Sequence, residues 1–400
     1  MRFKLLILLF SISIGISAQT NTEVYLLDVK TVDGQTELVD PRNISNNEGY
    51  DNQPSFYDAN TILFSSTRNG QTDIARYDIE SDSVSWITDT PQGSEYSPLK
   101  IPGKNAVSAI RLDSTGLQRL YEYSVWDGSS TKLLENLKVA YHVWYDADIV
   151  VSSVLADEGM DLVISNLKEG THRTVQQNVG RSLHKIPVPL DGHSGPNLIS
   201  FISKENNPWE IRSLNPMTGE VQKITDMYEK TDDMCWMADG TIMAADDQIL
   251  VTIDPDTQKE WKRFLRLEKR EISNISRIAI GPNGHYLALV FEESAEAIVQ
   301  NQLVAYNKRN IDAFLNTYSD HVRVFDYPDE LRFEGKEAMR EQYSDFFKNT
   351  PDLHCEIKNR IVIGNKVIDE EYITMNGTNF SAVAIYEVEN GKIAKVTFLR

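Results

Sequence analysis

SAEAIVQNQLVAYNKRNIDAFLNTYSDHVRVFD, residues 294–326, decides the fold of the C-terminal part of the chain and reads helix, helix, strand. Ser294 can cap a helix, and Ala295, Ile298, Val299, Gln302, Leu303 and Tyr306 follow at helical spacing as one stripe. Gln302 is the polar exception on that stripe. Asn310 caps a second helix carrying Ile311, Phe314, Leu315 and Tyr318. His321 to Asp326 then alternates, which places Val322, Val324 and Asp326 on one face of a strand.

Toward the C-terminus, Gly335 ends a loop and a third helix carries Ala338, Met339, Tyr343, Phe346 and Phe347 until Pro351 stops it. Strands are predicted over 353–363, 366–375, 380–388 and 392–399. The turn dipeptides Gly364-Asn365, Asn376-Gly377 and Asn390-Gly391 separate them. Hairpins joined this way make a curved antiparallel sheet that helices cover on one side. Such an α+β cone can hold an apolar ligand around buried polar groups.

Toward the N-terminus, from Glu23 to Glu293, strand-like segments recur and helix periodicity is absent. The clearest unit is Gln53-Pro54-Ser55-Phe56, Asp58, Ile62-Leu63-Phe64-Ser65-Ser66-Thr67-Arg68-Asn69-Gly70 and Asp73-Ile74-Ala75-Arg76-Tyr77-Asp78. Ile62 to Ser66 is a buried strand, Arg68-Asn69-Gly70 is the tight turn, and Ile74 to Ile79 returns. Weaker copies lie at Ser97-Pro98-Leu99, Val143-Trp144-Tyr145-Asp146, Ile186-Pro187-Val188-Pro189, Cys235 to Gly240 and Ile278 to Gly284. The period, roughly 40–50 residues, is that of a four-stranded propeller blade, and about six copies fit. Glu23-Val24-Tyr25-Leu26-Leu27-Asp28-Val29 is a spare strand that closes the ring if it pairs into the last blade.

The expected organisation is therefore multi-domain: a signal peptide over 1–18, an all-β propeller over 19–293, and an α+β cone over 294–400. Four hundred residues exceed a single core. Arg2 and Lys4, an apolar run from Leu5 to Ile16 and the small residues Ser17-Ala18 read as an export signal, too short to span a bilayer comfortably. The expected location is periplasmic or secreted, with no membrane span once the signal is cleaved. Acidic residues (59) outnumber Lys and Arg (40), giving a net charge of -19, which argues against a nucleic-acid partner. Cys235 and Cys355 fall in different domains and read as small buried hydrophobes. His142, His172, His184, His193 and His285 are scattered, so neither a metal nor a cofactor is expected. The six tryptophans read as core.

The pattern Phe56…Asp58…Phe64-Ser65-Ser66…Arg68…Gly70…Asp73-Ile74 resembles the TolB-type β-propeller repeat. That resemblance implies a six-bladed, WD40-like propeller in the cell envelope. The C-terminal region resembles the nuclear-transport-factor-2-like superfamily, in its SnoaL-like (polyketide-cyclase-like) and ketosteroid-isomerase-like branches. The resemblance rests on element order and on Tyr318-Ser319-Asp320…Val324…Asp326, Glu334-Gly335-Lys336-Glu337-Ala338 and Glu389-Asn390-Gly391-Lys392-Ile393. It implies that Asp326 stands where the isomerases hold a general base. It also implies that their oxyanion donors are replaced, the first by Gln302 and the second near Ala384.

Two readings of function follow. One is a binding or scaffold protein, whose propeller meets an envelope or secreted protein and whose cone takes a small apolar ligand or forms a homodimer. Gln302, Tyr327, His354 and Glu371 are then ligand-contact candidates, and Ile361, Val383, Ile385 and Val396 are pairing candidates. The other is an isomerase, cyclase or lyase that uses Asp326 as catalytic base and Gln302 as carbonyl donor.

Overall fold

The computed structural model describes residues 21–32, 35–47, 49–91, 93–187, 197–267 and 272–399. Residues 1–18, expected to be a signal peptide, and His193 and Val188-Pro189 lie outside the described residues. Among the described residues, six four-stranded antiparallel sheets form the propeller. The first comprises Asp51–Phe56, Thr61–Arg68, Gln71–Asp78 and Ser83–Trp86. Its turn follows from Asn69 (φ 52°) and Gly70 (φ 81°), which take the left-handed conformation a two-residue hairpin needs.

The sixth sheet joins both ends of the repeat region. Thr22–Val32 inserts beside Tyr286–Glu293, with Val24 opposite Val290 and Leu26 opposite Ala288. Val24 and Leu26 are fully buried, so this strand carries core as well as hydrogen bonds. The repeat signature is structural. The Arg68 guanidinium donates to Asp73 (3.2 Å) and to the Thr88 carbonyl (2.9 Å), and lies over the Trp86 ring. Two tryptophans tie blade to blade: Trp144 Nε1 donates to Ser108 Oγ and Trp236 Nε1 to Ser200 Oγ, both at 2.8 Å. Trp86 and Trp126 depart from the expected core role: Trp86 ends the exposed outer strand of the first sheet and Trp126 sits on an exposed turn.

Asp51 yields a pH prediction. Burial is the main cause that pushes its carboxyl up to about 7; the Glu23 charge adds to this and a Ser66 hydrogen bond opposes it. A folded pKa above the unfolded one means the native state holds the proton more tightly. Stability therefore falls as pH rises from about 4 through 7 and stays lower above that. Asp51→Asn is expected to be more stable than the parent by roughly 1–3 kcal/mol at pH 8, with the gap closing toward pH 4. Urea unfolding at the two pH values checks this, and an equal difference at both would contradict it.

The C-terminal domain runs α1 (Ala295–Asn307), α2 (Ile311–Asn316), β1 (Tyr318–Asp326), β2 (Glu330–Glu334), α3 (Lys336–Asn349), β3 (His354–Ile363), β4 (Lys366–Met375), β5 (Thr378–Glu389) and β6 (Lys392–Leu399). The sheet order is β2-β1-β6-β5-β4-β3, antiparallel except for the parallel β1–β6 pair. Ser294 Oγ accepts from Ala297 N and Asn310 Oδ1 from Ala313 N, both at 3.1 Å, so the expected caps form. Strand β2 occupies part of the segment expected to be loop.

Phe314, Tyr318, Val322, Val324, Met339 and Ile393 are among the residues that fill the core between helices and sheet. Val396 belongs to this core rather than to an outer pairing face, because it shares the inward side of β6 with Phe398. The last propeller strand ends at Glu293 and α1 begins two residues later. The Glu293 carboxylate accepts from Asn21 (2.8 Å) of the propeller and from Asn301 (3.3 Å) of α1.

Candidate functional site

The Asn376-Gly377 turn fixes the β4–β5 register, since Met375 pairs with Thr378 in a two-residue hairpin. Asp369 then faces Ala384, and Glu371 faces Ala382. Strand alternation sends Val367, Asp369, Glu371 and Ile373 inward together, with Ala382, Ala384 and Tyr386 beside them. The small alanines leave room, and a 270 Å³ cavity opens between the sheet, α1 and α3.

Its walls are apolar and aromatic, among them Leu303, Tyr306, Phe333, Phe346, Ile373 and Phe380. Tyr343 also lines the cavity and packs on Phe314 behind it, with ring centroids 4.7 Å apart. Glu371, Tyr386, Tyr318 and Gln302 form a polar cluster in the cavity, and Arg332 and Gln342 also line it. Tyr386 Oη donates to Glu371 Oε1 at 2.9 Å, and Glu371 and Gln302 are each 5% exposed. The Gln302 side chain hydrogen-bonds the Tyr318 hydroxyl. Burial raises both phenols well above their ordinary value; next to it, the Glu371 charge raises Tyr386 and the neighbouring Tyr343 raises Tyr318. Both therefore stay protonated as donors. Burial also pushes the Cys355 thiol up, with Glu371 and Asp369 adding to it, so this cavity cysteine is no thiolate nucleophile.

The candidates separate. Gln302 and Glu371 line the cavity. Asp326 differs from the desolvated base expected of it: its side chain is 33% exposed and paired with Arg332 Nε. The cause is β2, which brings Arg332 alongside the open end of β1. Tyr327 is 65% exposed, and His354 begins β3 on the exposed side, so neither contacts the cavity. The structure adds Tyr318 and Tyr386 to the site, two residues whose local sequence carries no site signature. The signal for Tyr386 was available in the register that the Asn-Gly turn imposes.

Residues 299–396 match the SnoaL-like domain family. No curated protein matches the chain. Among solved structures, a TolB from Agrobacterium tumefaciens is similar over 68% of this chain and 99% of its own, at 13% identity and TM-score 0.52. The propeller is thus TolB-like in fold. A cystatin-fold protein from Novosphingobium aromaticivorans covers 27% of this chain and 98% of its own, at 27% identity and TM-score 0.26. A polyketide-cyclase-type structure from Sinorhizobium meliloti covers 25% and 92%, at 19% identity and TM-score 0.23. The chain thus joins a propeller of TolB-like fold to an α+β cone whose residues 299–396 match the SnoaL-like domain family.

Proposed function

We propose that this is an exported binding protein whose cone holds a small, mainly apolar molecule by one hydrogen-bonding group, while the propeller meets an envelope protein. The buried Glu371–Tyr386 pair inside apolar walls carries the reading of the cone. A hydrogen-bonded carboxylate kept from water inside a cavity is costly unless it has work to do or ample partners. The volume falls just below the ~300–1,000 Å³ of drug-sized pockets, which suits a molecule of one or two rings. 2-Naphthol has that size and one hydroxyl that can donate to Glu371. Its fluorescence titration into the full chain is expected to saturate. Ala382→Trp, which fills the space facing Glu371, is expected to abolish that binding. Non-saturable uptake, or uptake unchanged in the variant, would remove the reading.

A second reading is favoured by the same carboxylate. Glu371 lies near two protonated phenols, a set able to move a proton next to a carbonyl while the phenols hold the oxygen. Glu371, rather than Asp326, is then the base. The outer sheet face offers a dimer surface, with Ile361 and Ile363 exposed. Ile361→Asp is expected to convert a dimer to monomer in sedimentation equilibrium; a parent that is already monomeric at about 0.1 mM rejects pairing.

A further inference from the structure

The strands that begin the six sheets meet around one further cavity, of 110 Å³, on the propeller axis. Each blade contributes to it: Gln53, Ser97, His142, Arg181, Asp233 and Arg277 come from blades one to six in turn. Two guanidinium groups share a single carboxylate there. Arg181 Nε lies 3.3 Å and Arg277 Nε 3.7 Å from the same oxygen, Asp233 Oδ2. Both also donate to the Ser276 carbonyl, at 2.7 and 2.8 Å. The adjacent Asp232 is matched by its own lysine, Lys204, at 2.7 Å. The cluster therefore keeps one positive charge in a chain of net charge -19.

Three buried polar atoms of this cavity have no hydrogen-bond partner among the described residues: Arg181 Nε, Ser97 Oγ and His142 Nδ1. Nε is ion-paired with Asp233 without hydrogen-bond geometry. His142 is 5% exposed and its other ring nitrogen lies 2.7 Å from Ser108 Oγ. Burial lowers its pKa to about 3, so the ring is neutral and the charge comes from the arginines. Buried orphaned polar groups are costly and rare, and an anion acceptor among guanidinium forks satisfies them.

The geometry points to a carboxylate-binding site in the axial channel of the propeller, held by Arg181 and Arg277 and separate from the cone. The volume admits a carboxylate with a few carbons, either a free small acid or the end of a peptide chain.

The test uses the full chain, carboxyl-labelled ¹³C-acetate, and acetamide as the neutral control at fixed ionic strength. Saturable broadening of the acetate line is expected, with none for acetamide. Arg277→Gln is expected to weaken acetate roughly tenfold. Asp233→Asn removes the competing carboxylate and is expected to tighten it, an effect that misfolding cannot produce. Acetate behaving like acetamide, or Asp233→Asn failing to tighten binding, overturns the site. Trialanine displacing acetate better than its C-terminal amide identifies a chain end as the source; displacement by neither peptide identifies a small acid, and equal displacement by both overturns recognition of a carboxylate.

Discussion

Arg360→Leu is expected to destabilise the C-terminal domain by about 3–5 kcal/mol. The Arg360 guanidinium grips Asp369 with two parallel bonds, Nε to Oδ1 and Nη2 to Oδ2, both 2.7 Å. The Asp369 side chain is 1% exposed, so removing the arginine strands a charge that water cannot reach. Arg360 also donates to Gln300 of α1 at 2.9 Å, so the change loosens helix from sheet. Asp369 lies two residues from Glu371 on the same face, and the disturbance therefore reaches the cavity. The double variant Arg360→Leu/Asp369→Leu is expected to recover most of the loss, because two apolar groups replace a buried pair at little net cost. Denaturant unfolding of the three proteins decides it. A single variant as stable as the parent would mean that solvent reaches the pair.

Glu371→Leu is expected to weaken retention of the cone ligand by roughly 10- to 150-fold, the loss of one or two hydrogen bonds to a charged group. It also leaves the Tyr386 hydroxyl without its acceptor. Glu371→Gln separates the two functional readings. An amide keeps the shape and can still hold a polar atom, but it cannot take up a proton. A pure binding site retains affinity in the glutamine variant. A proton-transfer site retains affinity and loses exchange of the ligand's α-hydrogen with solvent deuterium. Full affinity in Glu371→Leu would show that the carboxylate takes no part.

Local chemistry made most of the architecture readable. Asn69-Gly70 and Asn376-Gly377 are turns with one backbone solution, and the strands around them follow. Val24 and Leu26 are apolar at alternate positions in a strand with no hairpin partner ahead of it, which pointed to ring closure. The site was harder. Asp326 stands where family resemblance implies a base, but its surroundings depend on Arg332, which comes from a strand whose short, charged sequence reads as loop. Glu371 and Tyr386 meet across a hairpin, so their contact depends on register rather than on either residue's local pattern. The channel residues Arg181, Asp233 and Arg277 are dozens of positions apart, and only the closed ring brings them together.

The measurement closest to the central claim is native mass spectrometry of the full chain purified without denaturation, beside Glu371→Leu. The account predicts a reproducible small added mass on the parent that is absent from the variant. A parent at its bare polypeptide mass, or an adduct equally present in Glu371→Leu, would contradict a ligand held by the Glu371–Tyr386 centre.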